Sequence, residues 1–154
     1  LSRTETLLAD ARAELRALVE TSRSPDLSAG LVPALGRLAR RMAPRCEVHL
    51  DAAPVRLSEE AEATLYRVAQ EGVHNAVRHG GARHVRIALA SAPRGGARLT
   101  VEDDGAGAEP ADARSGPGLR GLRERLEGMG GDLSVERVED GGLRLRAELP
   151  AEAP

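Results

Sequence analysis

The stretch ARLTVEDDGAG, residues 97–107, combines a strand pattern with a glycine-rich end. In an extended chain Asp103 points to the same face as Leu99 and Val101, because alternate residues of a strand share a face. A carboxylate aimed at the interior is costly unless it meets hydrogen-bond donors, so we expect Asp103 to lie in a cleft that faces a ligand. The glycine turn behind it would let a flat ligand of purine size lie against bare backbone. Taken alone, the same residues also fit a strand that ends in a solvated acidic turn.

The composition is that of one soluble domain with a core of its own. The chain has 154 residues, of which 41% are hydrophobic and 30% charged, and its net charge of -2 gives no overall positive field for nucleic acid. The single cysteine, Cys46, excludes a disulfide framework and a multi-cysteine zinc site, and is typical of a cytoplasmic setting. No apolar run reaches the length of a membrane span. We therefore expect this chain to be cytoplasmic and to contact neither nucleic acid nor membrane. Because it begins with Leu, we interpret it as part of a longer protein, which could carry a membrane anchor upstream.

Hydrophobic periodicity predicts about five strands and four helices, with much antiparallel pairing. The predicted helices cover residues 1–20, 31–42, 58–79 and a segment from about 119 to 129. The predicted strands lie at 46–50, 84–90, 97–103, around 133–135 and at 143–149.

The third predicted helix has one polar edge beside an apolar stripe. Glu71, Asn75 and His79 are four residues apart, so they line up along this edge. Most polar pairs with this spacing form an ordinary solvated helix surface, and His79 also suits a helix C-terminus, where a cation complements the dipole. Gly72 lies in the apolar stripe at a cost of about 1 kcal/mol in helix propensity relative to Ala, which indicates close packing.

A second glycine-rich segment, GPGLRG at residues 116–121, begins the fourth helix. It fits the dinucleotide fingerprint G-x-G-x-x-G, but it follows a polar loop instead of a buried strand and precedes a hairpin, so the context is wrong for that fold. A glycine-rich helix N-terminus still leaves free backbone N–H groups and a positive dipole end for phosphates. The preceding loop, residues 106–118, has almost no large apolar residue and is predicted to be mobile.

Four segments together resemble one known family. They are TLYRVAQEGVHNAVRH (64–79), VEDDGAG (101–107), GPGLRGLRERLEGMGGDLSVE (116–136) and GGLRLRAELP (141–150). In this order and spacing they resemble the ATP-binding catalytic domain of bacterial sensor histidine kinases, in the subgroup that includes the nitrate/nitrite sensors.

The resemblance implies a fold and a division of the chain. Residues 25–150 would form the Bergerat ATP-binding fold, a two-layer α/β (α+β) sandwich in which helices cover one face of a mixed, largely antiparallel sheet of about five strands. Type II topoisomerases, Hsp90-type chaperones and mismatch-repair ATPases share this fold. Residues 1–24 would be the end of a dimerisation and phosphoacceptor hairpin plus a linker, and residues 151–154 a tail.

The resemblance also implies site residues and the cofactors ATP and Mg²⁺. Asn75 matches the residue that coordinates the Mg²⁺ bridging the ATP phosphates, and Glu71 matches the acid that assists phosphoryl transfer. Asp103 matches the residue that binds the adenine amino group, with Gly105 and Gly107 below the ring. The positions matched near the phosphates are Arg78, His79, Gly116, Gly118, Leu119 and Gly121.

The implied activity is that of a protein histidine kinase. The ATP γ-phosphoryl group would pass to a His on the hairpin of the same kinase, a homodimer in its full length, and then to a response regulator. None of the four histidines has the context of that phosphoacceptor, so we expect this chain to bind ATP without labelling itself.

Two other functions fit the same fold. One is a serine kinase of the anti-sigma-factor type, against which the kinase-type RERL helix and the hairpin-like N-terminus argue. The other is a non-catalytic nucleotide-binding module. The presence of Glu71, Asn75 and Asp103 argues against that module.

Overall fold

Alternating apolar residues build a five-stranded sheet, and three amphipathic helices pack against it. A computed structural model of the chain describes residues 2–22, 24–106, 109–110 and 116–151. The described helices are α1 (Arg3–Ser22), α2 (Leu31–Met42), α3 (Glu59–Arg78) and α4 (Pro117–Gly128). The strands are β1 (Glu47–Ala52), β2 (His84–Ser91), β3 (Ala97–Asp103), β4 (Asp132–Arg137) and β5 (Leu143–Leu149).

The sheet has the order β1-β2-β3-β5-β4. β1 runs parallel to β2, which requires the crossover that α3 provides, and every other neighbouring pair is antiparallel. The prediction of a mixed, largely antiparallel sheet is confirmed. The prediction that α4 begins near residue 119 was two residues late, because Pro117 takes the first helical position, where its missing N–H costs nothing.

The two faces of the sheet differ in chemistry. One face carries the apolar side chains that pack under α2, α3 and α4 to form the core. The opposite face carries cross-strand ion pairs, among them Arg98 Nε with Glu148 Oε1 at 2.6 Å and Arg144 Nε with Glu102 Oε2 at 2.9 Å. The predicted two-layer arrangement is confirmed, since the described core helices α2, α3 and α4 all pack on one face.

The core packs α3 closely onto the central strands. A Cβ atom added at Gly72 would lie 3.1 Å from side-chain carbons of both Val101 and Leu145. The close packing inferred from a glycine within the helix stripe is therefore confirmed. Cys46 is buried, as expected of a small apolar residue.

None of the α1 side chains that the structure describes belongs to this core. This helix carries large hydrophobic side chains that are each more than half exposed, those of Leu7, Leu8, Leu15 and Val19. Within the described part of the chain, no helix is both long and apolar enough to cross a membrane.

Candidate functional site

α3 is fixed at both ends by local interactions. The Ser58 hydroxyl accepts a hydrogen bond from the N–H of Ala61 at 3.3 Å, and three glutamates in the first turn complement the helix dipole. At the other end the Ala82 N–H donates to the carbonyl of Ala76 at 3.0 Å, and Gly81 has a φ of 61°, in the left-handed region that glycine adopts readily. The helix ends at Arg78 with His79 as its C-cap residue, within one residue of the predicted end. The result is a rigid helix that carries the predicted polar edge.

The turn after β3 is attached to the end of α3. The Ala106 N–H donates to the carbonyl oxygen of Gly80 at 3.1 Å. A Cβ atom added at Gly105 would lie 2.5 Å from that same oxygen, so only glycine fits here. The first glycine motif thus contacts the helix that carries Glu71 and Asn75. Gly107 lies outside the described residues.

Asp103 is half-buried at the end of β3. Its Oδ1 accepts a hydrogen bond from the Gly105 N–H at 2.8 Å. Burial raises the pKa of its carboxyl, while hydrogen bonds from the backbone N–H groups of Gly105 and Leu143 oppose that rise. The backbone of Gly142 lies directly against Asp103, leaving no room for a side chain at position 142. Asp103 therefore lies in a backbone-lined corner, and its carboxylate retains acceptor capacity.

The neighbouring carboxylate, Asp104, has a different environment, which no local pattern in the sequence predicts. It is exposed, and its Oδ1 accepts hydrogen bonds from the backbone N–H groups of Arg83 at 2.8 Å and His84 at 3.0 Å. Its Oδ2 lies 2.7 Å from His84 Nδ1. The hydrogen bonds to the backbone and ring of His84 lower the pKa of Asp104 to about 2.

The N-terminus of α4 lies against Glu71. Gly116 is the N-cap residue of this helix and makes no side-chain cap hydrogen bond. A Cβ atom added at Gly118 would lie 2.5 Å from Glu71 Oε1 and 2.6 Å from Glu71 Cδ. The second glycine motif thus meets the polar edge of α3, and the absence of a side chain at position 118 is what permits the contact.

Asn75, one turn further along α3, is half-buried. Among the described residues its side chain makes no hydrogen bond, so its amide oxygen is available. The described residues contain no group of three or more His, Cys, Asp or Glu side chains that could hold a metal ion. Because Mg²⁺ keeps several waters and takes ligands from substrate phosphates, a site with one protein oxygen ligand is compatible with this ion.

The other predicted site residues are less closely grouped. Arg78 and His79 are exposed where α3 ends, and His79 is its C-cap residue. The side chain of Leu119 is buried in the core, so only its backbone N–H could contact a ligand. A Cβ atom at Gly121 would meet nothing within 4 Å. Residues 107–108 and 111–115 of the predicted mobile loop lie outside the described residues.

Known proteins resemble this chain in both sequence and fold. Residues 60–153 match the family described as histidine kinase-, DNA gyrase B-, and HSP90-like ATPase. The chain is 39% identical to the sensor histidine kinase MctS of Rhizobium johnstonii over 80% of this chain and 28% of MctS. It is 29% identical to the nitrate/nitrite sensor protein NarQ of Escherichia coli over 88% of this chain and 25% of NarQ. The chain thus spans about a quarter of the length of these curated relatives.

A solved structure shows the same fold. The ATP binding domain of PrrB from Mycobacterium tuberculosis superimposes with a TM-score of 0.60 and 25% identity, over 80% of this chain and 95% of that one. The predicted resemblance to histidine kinases, including the nitrate/nitrite sensors, and the predicted Bergerat fold are therefore confirmed.

Proposed function

Because the chain belongs to the family of histidine kinase-, DNA gyrase B- and HSP90-like ATPases, we propose that residues 25–150 are the ATP-binding catalytic domain of a sensor histidine kinase. The γ-phosphoryl group of ATP would pass to a histidine on a helical hairpin. The approach of Gly118 to Glu71 carries this proposal. It brings a helix N-terminus, which favours phosphate, beside the acid that would assist transfer.

Asp103 would select the base. A carboxylate offers about four acceptor positions, so the hydrogen bonds from Gly105 and Leu143 leave room for the exocyclic amine of adenine. The half-buried position of Asp103 strengthens such a bond, because less water competes for the carboxylate. Gly105 and Gly107 would lie below the ring, although the side of Gly105 that lacks a side chain packs on the Gly80 carbonyl.

Asn75 would hold Mg²⁺ through its amide oxygen, and the ion when bound would neutralise charge on the phosphates. The phosphates would also meet the side chains of Arg78 and His79. From α4 they would meet the N-terminal backbone, which comprises Gly116, Gly118, Leu119 and Gly121.

Glu71 would act on the transfer step itself. It is half-buried and its carboxylate lies against the backbone of Gly118, which would place it beside the phosphates. In phosphoryl transfer the protein contributes mainly positioning and electrostatic stabilisation. The position of the Glu71 carboxylate should therefore affect the rate of transfer more than its reactivity does.

The partners would be a second copy of the same kinase and a response regulator. Residues 1–24 would form the end of the dimerisation hairpin and its linker. The exposed leucines of α1, Leu7, Leu8 and Leu15, would be covered there by other helices.

Two variants test these roles separately. Asn75→Ala should weaken binding of Mg-ATP far more than binding of adenosine, whereas Glu71→Gln should leave binding intact and slow transfer to a histidine-containing hairpin supplied in trans. Calorimetric titration and transfer of labelled phosphate measure the two effects. An equal loss of adenosine binding in Asn75→Ala would contradict the assignment of Asn75 as a Mg²⁺ ligand. Unmodified chain incubated alone with labelled ATP should give no phosphohistidine.

A further inference from the structure

We propose that Asp104 is a positioning residue for adenine recognition, which holds Asp103 in place by fastening the end of β3 to the start of β2. This inference rests on the proposed function, because it assumes that Asp103 faces the base. Asp104 would not touch the nucleotide itself.

The backbone pairing of β3 with its neighbouring strands ends at or just before Asp103. On the β2 side the last paired residue of β3 is Asp103, opposite Val85. On the β5 side the pairing ends one residue earlier, at Glu102 opposite Arg144. Strand ends open at little free-energy cost unless other contacts hold them. The ligand-facing carboxylate is thus carried by the terminal residue of the ladder.

Asp104 extends the attachment beyond this ladder. Its backbone N–H donates to the carbonyl of His84 at 3.3 Å. Its carboxylate accepts from the N–H groups of Arg83 at 2.8 Å and His84 at 3.0 Å, and its second oxygen lies 2.7 Å from His84 Nδ1. Charge-assisted hydrogen bonds of this kind are stronger than neutral ones. Both carboxylate oxygens are engaged by the start of β2.

The attachment reaches a third strand. His84 pairs with Glu47 of β1 in the sheet register, and His84 Nε2 lies 3.6 Å from Glu47 Oε2. The imidazole is therefore flanked by one carboxylate from β1 and one from the end of β3. Release of Asp104 would remove the contacts that link the residue after β3 to the start of β2 and, through His84, to β1.

The expected consequence is a loss of base selectivity. A correctly placed carboxylate at position 103 accepts from the amine of adenine and repels the carbonyl that hypoxanthine carries at that position. If the end of β3 frays, the attraction for adenine and the repulsion of hypoxanthine both weaken, whereas the contacts that α3 and α4 make with the diphosphate persist. ADP affinity should therefore fall while IDP affinity stays nearly constant. A general loss of folded protein would lower both affinities together.

The test is calorimetric titration of the full chain with ADP and with IDP. In Asp104→Ala the ADP affinity should fall roughly tenfold, the factor that corresponds to one strong hydrogen bond, and the ADP-over-IDP preference should fall with it. Asp104→Asn retains an oxygen that can accept from both N–H groups, so it should stay within about threefold of the unmodified chain. The matched control is Asp51→Ala, which removes an exposed carboxylate that pairs with Arg86 on the same sheet and should change neither affinity.

Three outcomes would overturn the inference. They are unchanged ADP affinity in folded Asp104→Ala, an equal loss for ADP and IDP, and an Asp104→Asn variant as weak as Asp104→Ala. If Asp104→Ala does not fold, Asp104→Ser replaces it in the test, because the serine hydroxyl can accept from one N–H group. An unchanged ADP-over-IDP preference in Asp104→Ser would also overturn the inference. Failure of the unmodified chain to bind ADP would instead overturn the proposed function, and this inference with it.

Discussion

Replacing Gly118 by Ala tests whether the contact between α4 and α3 matters for chemistry. The added Cβ would lie 2.5 Å from Glu71 Oε1, and ordinary van der Waals contact begins at 3.4 Å. The obstacle is the far end of a flexible side chain, so the Glu71 carboxylate should retreat by about 0.9 Å while the backbone stays in place.

Stability and transfer should then respond in different ways. Alanine is the better helix former by up to about 1 kcal/mol, so Gly118→Ala should melt no lower than the unmodified chain. A misplacement of about 1 Å can slow a reaction on the order of 100-fold, because catalysis by positioning tolerates little error. We therefore expect unchanged stability, ADP affinity within a few-fold, and phosphoryl transfer slower by about two orders of magnitude.

The assay is transfer of labelled phosphate to a histidine-containing hairpin in trans, together with thermal unfolding. Gly128→Ala is the matched control, because it lies on the same helix and its Cβ would meet nothing within 4 Å. Transfer by Gly118→Ala at the rate of Gly128→Ala would refute the reasoning, since it would mean that the position of Glu71 does not limit the reaction.

Two further predictions concern the fold. Gly72→Ala should destabilise the chain by about 1 kcal/mol in chemical denaturation, because crowding of Val101 and Leu145 costs more than the gain in helix propensity. A more stable variant would show that these two side chains shift to accommodate the added methyl group. The pKa of Asp104 is about 2 in the folded chain, below its unfolded value. Its contribution to the free energy of unfolding is therefore present above about pH 4 and is lost as the pH falls toward 2. In Asp104→Asn the melting temperature should accordingly fall less between pH 4 and pH 2 than in the unmodified chain. An equal fall in both proteins would contradict the role of the His84 contacts.

The sequence predicts the elements of this fold because their signals are local. The alternation in β3 and the cap at Ser58 each follow from a few consecutive residues. The parallel pairing of β1 with β2 was not predicted, because it depends on a crossover through α3 and not on either strand alone.

The site was predictable only as a set of separate motifs. The spacing of Glu71 and Asn75 places them on one edge of a helix, but no local pattern indicates that Gly118 packs on Glu71. The role of Asp104 was missed for the same reason. Its hydrogen-bond partners are about 20 residues earlier in the chain, and the sequence does not distinguish a carboxylate bound to a strand start from one in a solvated turn.

The central claim is that Asp103 recognises adenine, and the most direct test is calorimetric titration of Asp103→Asn with Mg-ATP. The amide is isosteric, and burial raises the pKa of the native carboxyl, which means that its ionised form opposes folding near neutral pH. The variant should therefore fold at least as stably as the unmodified chain. We predict that the unmodified chain binds Mg-ATP and that folded Asp103→Asn does not. Retained ATP affinity in the folded variant would contradict the account.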